Sequence, residues 1–304
     1  MKKNLLFILS IACLGAMTSC SILEDLGITK PYEIKSYKSH EEVSYDTFCE
    51  LIGEELNEVY EDRFASNVRA EDFILKSGEG ESIKSTVKYE DTSCKVNIEA
   101  ESITKQEISY DDDTENAKIY SKTKEVNNAA IAKQETSSEI EAYMMNKGDG
   151  MITAIKDLKA YVFQENTSVE EGMELLMTQG FWNIVQTIDN EIPASSSAYE
   201  MQYYVEDNTF TVVGEEYESS GSSYDNYLIE TTVKGVWQIV IDDDYISYVC
   251  ETEAEENVEN NDSDANQNSE ISSYKYISLE FADQKIKDIN YTKYAEVEDI
   301  DFDY

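Results

Sequence analysis

Along most of this chain the apolar positions recur either every three to four residues or every second one, and the two periods divide it. From Ser44 to Arg63, Phe48, Leu51, Ile52, Leu56, Val59 and Tyr60 share one stripe among carboxylates, which predicts an amphipathic helix. Ser44 stands where an N-cap belongs, and Val43 with Phe48 fits a hydrophobic staple. A second helix is predicted from Ser168 to Asp189, with Met173, Leu176, Met177, Phe181, Ile184, Val185 and Ile188 on one face. Ser168 and Glu171 form a capping box there, and Pro193 lies past the end.

Elsewhere the period is two. Ile83–Tyr89, Cys94–Ile98, Lys118–Val126, Glu139–Met145 and Met151–Phe163 precede the second helix. Glu200–Val205, Thr209–Val213, Leu228–Ile241, Tyr245–Cys250, Ser272–Phe281 and Lys285–Tyr294 follow it. Such alternation predicts strands with one dry face and one wet face. Turn chemistry at 111–113, 148–150 and Asp207-Asn208 makes neighbouring strands sequential hairpins. The stretch 251–270 is acidic, Asn-rich and almost without apolar residues, and is expected to be a disordered loop. The expected fold class is therefore α+β, with one body from 43 to 304.

The first twenty residues have a different character. Lys2 and Lys3 precede an apolar run from Leu5 to Met17, too short to span the ~30 Å of a bilayer core, then Thr18, Ser19 and Cys20. This resembles the lipobox of bacterial lipoproteins, although Met17 stands where that family usually has Leu. The resemblance implies a signal peptide at 1–19, cleavage after Ser19, and a diacylglycerol thioether with palmitate-type chains on Cys20. It also implies an extracytoplasmic protein held to the cell-envelope membrane by its lipid anchor. Residues 20–42, including Pro31, are then expected to be a flexible tether.

Charge narrows the partners. The chain carries 64 acidic and 24 basic residues, a formal net charge of −40, which repels nucleic acid and anionic headgroups. Its 41% apolar content is enough for a core, and a monomer is expected. Of five cysteines, Cys49, Cys94 and Cys250 remain after the leader and anchor. All three lie in patterns that look buried, and no internal disulfide is expected.

Candidate chemistry is sparse. The single histidine, His40, falls in the expected tether, too mobile to serve as a base. No metal-ligand spacing, nucleophile elbow or phosphate loop is present, so no catalytic residue, metal or cofactor is expected. The runs 111–113 and 242–244 each offer three carboxylates but lack the spacing of a Ca²⁺ loop, and read as solvated hairpin tips.

The order helix, strand meander, helix, strand meander is similar to that of the LolA-like superfamily of lipoprotein carriers and mycobacterial lipid-binding lipoproteins. A closing strand after Asp283-Gln284 and the run Tyr294–Ile300 add to it. The resemblance implies a single curled antiparallel sheet, a half-barrel covered by two helices, with an apolar cavity for a lipid or other hydrophobic ligand. Leu176, Phe181, Trp182 and Trp237 are the candidates for lining it. The alternative is a structural or interaction lipoprotein whose interior is filled by its own side chains.

Overall fold

A computed structural model describes residues 34–65, 69–89, 95–129, 132–194, 199–222, 227–260 and 265–297. In chain order the elements are β1 (Glu41–Val43), α1 (Tyr45–Arg63), β2 (Phe73–Tyr89), β3 (Lys95–Asp111), β4 (Asn116–Ala129), β5 (Ala132–Lys147), β6 (Gly150–Ile155) and β7 (Ala160–Glu165). They continue with α2 (Val169–Glu191), β8 (Tyr199–Glu206), β9 (Thr209–Ser222), β10 (Tyr227–Asp242), β11 (Tyr245–Asn260), β12 (Ala265–Glu280) and β13 (Ala295–Glu296).

Among the described residues the strands form one open thirteen-stranded sheet, ordered β1-β8-β9-β10-β11-β12-β2-β3-β4-β5-β6-β7-β13. Every pairing is antiparallel except β13 on β7. Two meanders, β2–β7 and β8–β12, meet at a single seam where β12 pairs with β2 from Ala265↔Tyr89 to Glu280↔Ile74. β9 to β12 and β2 to β5 are 14 to 17 residues long, so each extends for about 50 Å.

Both helices start where their caps say. Ser44 Oγ accepts from the Thr47 amide at 3.2 Å, and Ser168 Oγ from the Glu171 amide at 3.1 Å. α2 is also pinned to β5, because Val169 N–H donates to Asn146 Oδ1 at 2.9 Å. The helices lie on one face of the sheet, α1 over β8 and β10 and α2 over β2, β4, β5, β11 and β12. Between helices and sheet sits the main core: Phe48, Ile52 and Val59 of α1, Met173, Phe181 and Ile184 of α2, and Phe73, Tyr110, Phe210, Ile239, Ile246 and Leu279 of the sheet. Gly180 brings α2 close, since a Cβ there would lie 3.0 Å from a Leu75 methyl.

Several sequence expectations are corrected here. Residues 251–260 and 265–270 are not a loop but the paired ends of β11 and β12, from Glu251↔Tyr274 to Asn260↔Ala265. The expected tether is part of the body from Ile34 onward. Ile34 packs on Ile103, Val249, Tyr274 and Tyr276, the Lys35 backbone N–H donates to the Gln238 side-chain carbonyl while its C=O accepts from the same side-chain amide, and β1 pairs with β8. His40, expected to be mobile, is packed with a side chain 4% exposed and its Nε2 2.8 Å from Glu206. Lys285–Tyr294 is not a strand; it crosses the sheet's other face, where Ile289, Tyr291 and Tyr294 cover Met145, Ile152 and Ala154. Cys49 is exposed rather than buried, Cys250 is half-buried, and both thiols are free. Cys20, Ser19 and Cys94 lie outside the described residues.

Candidate ligand surface on the sheet

The helices cover only one end of the long strands. Past them, strict period-two alternation sorts the side chains of β9–β12 and β2–β5 onto two unlike faces. The outer face is mixed: Ile103, Val249, Tyr274 and Tyr276 are packed apolar residues on it, and ion pairs surround them. Lys76–Glu280 (2.8 Å), Lys118–Glu141 (2.9 Å), Lys124–Glu135 (3.1 Å) and Lys234–Glu215 (3.7 Å) are ion pairs on it. Glu141 is the most constrained of these carboxylates. Burial pushes its pKa up, but hydrogen bonds from Lys156, Lys118 and Tyr143 win and hold it at about 2.

The helix-side face beyond the helices carries apolar and hydroxyl side chains. Reading across β10, β11, β12, β2 and β3, register aligns Val233–Ala254–Ile271–Ile83–Ala100 in one row. Next outward come Thr231–Glu256–Ser269–Ser85–Ile98, and then Ile229–Val258–Gln267–Val87–Val96. Ser85 and Ser269 satisfy each other at 2.9 Å. Each of the ten apolar residues in these rows is half-buried, and none belongs to the three packed apolar clusters formed by described residues.

A transitional band separates this face from the core. Its row nearest the core contains Trp237, Cys250, Lys275 and Glu79, and the next contains Gly214, Gly235, Thr252, Ser273, Glu81, Ser102 and Glu125. The Trp237 indole leans over Gly235 and the Met201 thioether over Gly214; a Cβ on either glycine would collide with them. At the end of α2, Glu191 accepts from Tyr248 Oη at 2.8 Å and pairs with Lys275. Burial above all, with Glu191 nearby, pushes the Cys250 thiol up to about 12, so it stays protonated at neutral pH.

The four residues expected to line a cavity separate. Phe181 and Leu176 are 2% and 7% exposed within the helix–sheet core, Phe181 stacked on Phe64 at 4.7 Å between centroids. Trp182 is exposed, its ring 5.5 Å from that of Tyr60. Trp237 alone borders the uncovered face. What the helical stripe shows is that its residues are buried, not against what. On the uncovered face, Ile83, Val87, Val96, Ile98, Ile229 and Val233 fall in segments that alternation marks as strands, whereas Ala254 and Val258 fall in the stretch expected to be a loop, and nothing in the sequence marks the helices as stopping short of them.

Two hollows lie elsewhere. One of about 540 Å³ sits by Gly214 and Gly235, and most of its lining residues, including Glu200, Glu215, Lys234 and Glu253, belong by strand parity to the outer face. The other, about 390 Å³, brings together Asp112, Asp113 and Asp244 from the two carboxylate runs with Arg63, Asp72 and Lys285. Here the expectation of solvated tips needs correcting for Asp111. It is 1% exposed and accepts from Ile286 N–H at 2.8 Å and Thr114 N–H at 3.3 Å. Burial raises its pKa, but those hydrogen bonds and Lys285 outweigh it, and the carboxyl stays below the ordinary range. Asp72 likewise accepts from the amides of Asp112 and Gln284, both at 2.6 Å. These carboxylates hold turns together. Among the described residues no group of three or more His, Cys, Asp or Glu has the arrangement of a metal site, and no helix is long and apolar enough to cross a membrane.

No family model matches the chain, and no curated protein does. Among solved structures, OpdQ of Pseudomonas aeruginosa aligns over 69% of this chain and 66% of its own, at 6% identity and a TM-score of 0.16. A likeness that loose carries no argument about fold or function.

Proposed function

We propose that this chain is a noncatalytic, lipid-anchored protein of the bacterial cell envelope that holds a hydrophobic ligand, an acyl chain or a lipid, on the uncovered helix-side face of its sheet. In this reading the sheet curls there into the half-barrel of the LolA-like superfamily, and Cys20 carries the anchor. The observation that supports it is the patch of ten apolar residues that continues the core face past the helices and is backed by charged side chains on the outer face. Directly behind the patch Lys84, Glu99, Lys234, Glu253, Glu255 and Glu270 keep the outer side wet, while half-buried Ile and Val on the other side leave apolar area for an occupant.

Size favours a small ligand. Five strands about 4.8 Å apart and three rows about 6.7 Å apart make roughly 500 Å² of sheet, against the ~800 Å² per partner of a standard protein interface. The run from Glu81 to Val87 is about 20 Å long, comparable to an extended acyl chain. The rival reading, a structural lipoprotein with a filled interior, draws on the close packing of Phe181 and Leu176 beneath the helices. It leaves the patch without an occupant.

The test is native mass spectrometry of the purified chain, with titration by a neutral pyrene-labelled long-chain alcohol. Saturable one-site binding that Ile83→Asp and Ile271→Asp each abolish, with far-UV circular dichroism unchanged, is the expected result. No saturable binding in the unaltered protein, and no co-purifying lipid, refutes the proposal.

A further inference from the structure

The polarity of the uncovered face is one-sided, and this bears on the ligand's headgroup. By register, Glu81, Glu125 and Glu256 lie on the helix-side face in or beside the apolar rows. The strand lysines Lys76, Lys84, Lys105, Lys118, Lys122, Lys124 and Lys234 all alternate to the outer face. Lys275 is the one described strand lysine on the helix side, and Glu191 already pairs with it. Among the described residues Glu81 has no cation within ion-pair distance, and burial raises its pKa. A partly desolvated carboxylate at the edge of an apolar surface gains most from a cation that arrives with its own apolar body.

Resting on the lipid-holding reading above, we infer that the ligand is a cationic amphiphile: a protonated amine seated by Glu81 at the boundary with the helices, with Glu125 two strands away adding to the negative field, and a hydrocarbon tail laid along Ile83, Ile271, Val87 and Val258. The register places head and tail sites in one line. Glu81 precedes Ile83 and Val87 on the same face of β2, and Ile271 and Gln267 flank them on β12. An anionic amphiphile of the same length meets the same tail site but has no cation at its head. It faces the partly desolvated Glu81 at the edge of an apolar surface, where like charges repel more than they do in water. A neutral amphiphile falls between the two.

The experiment uses the full chain and three probes of equal length with the same terminal pyrene: a primary alkylamine, an alcohol and a carboxylate, at pH 7 and 0.15 M salt. The amine is expected to bind at least tenfold tighter than the carboxylate, with the alcohol intermediate. Glu81→Gln is expected to remove most of the amine's advantage while leaving the alcohol unchanged. Glu230→Gln, on the outer face, controls for general attraction to a chain of net charge −40 and should change nothing. Equal affinities, or tighter carboxylate binding, overturn the headgroup inference while leaving the apolar site standing. Amine binding that survives Ile83→Asp overturns it as surface adsorption. Failure of all three probes removes the lipid-holding reading itself.

Discussion

Phe181→Ala separates a filled helix–sheet interface from an open one. The Phe181 ring is 2% exposed, stacks on Phe64 at 4.7 Å, and lies 6.0 Å from Tyr60 and 5.3 Å from Trp182 between centroids. Losing the transfer free energy of a fully buried ring costs roughly 2 kcal/mol. A residual cavity of roughly 80 Å³ at ~24 cal/mol per Å³ adds about another 2 kcal/mol. The forfeited aromatic pairs contribute about 0.5–1.5 kcal/mol each, partly recovered as neighbours relax. The expected loss is therefore about 4 kcal/mol, a large share of the stability of an ordinary domain. Urea denaturation of ligand-free wild type and variant, at matched m-values, measures it. Because Phe181 is not on the uncovered face, pyrene-alcohol affinity measured well below the variant's midpoint should be unchanged. A loss under about 1 kcal/mol, or an intact fold with weakened binding, would show that the ring faces ligand space and that the core assignment is wrong.

Cys20→Ser should abolish incorporation of labelled fatty acid and move the protein out of the membrane fraction; retention in that fraction with label incorporated contradicts the anchor. Glu141 predicts an acid-side stability change. Its folded pKa of about 2 lies below the ordinary 4.5, so its contribution is complete above pH 4.5 and drains away as pH falls toward 2. Glu141→Gln should flatten that part of the stability–pH curve, by roughly 1–2 kcal/mol after allowing for solvent at the Lys156 side; an unaltered curve refutes it. Replacing Glu256–Ser269 with a tight turn joins the registered pair Glu255↔Glu270 but strips neighbours from β10 and β2. It should cost about 1–3 kcal/mol in urea denaturation and weaken probe binding about tenfold, whereas a free loop would change neither.

The helices were legible because their signals are local. Ser44 and Ser168 cap helices whose apolar stripes recur for about four turns. Strand ends were harder to read. In 251–260 the alternation is present: Thr252, Ala254 and Val258 share one face, and Glu251, Glu253, Glu255 and Glu259 the other. The segment is nevertheless so polar that its composition reads as loop. The signal there is which face each residue occupies, and this requires a partner strand to be seen. The C-terminal Ile289, Tyr291 and Tyr294 erred in the opposite direction, since apolar alternation suggested a strand where the side chains cap a cluster without sheet neighbours. Of the candidate site, Trp237 was recognisable as an aromatic within a strand, but the surface it borders exists only because α2 ends at Glu191 while the strands continue.

The seam between β12 and β2 also has a cost in time. Sixteen registered pairs join residues nearly two hundred positions apart, so neither meander can complete its sheet until the last long strand has been synthesised. Non-local pairing of this kind is slow, because the loop must close before any contact rewards it. Until then β2 is an unpaired edge, open to strands of other chains. The glycine- and lysine-bearing sequence Lys76–Lys88 makes that waiting edge a poor template for pairing with a copy of itself. A circular permutant beginning at β8, with the chain's original ends joined so that α1 and the C-terminal segment are kept, would bring β12 and β2 much closer in sequence, and should fold measurably faster.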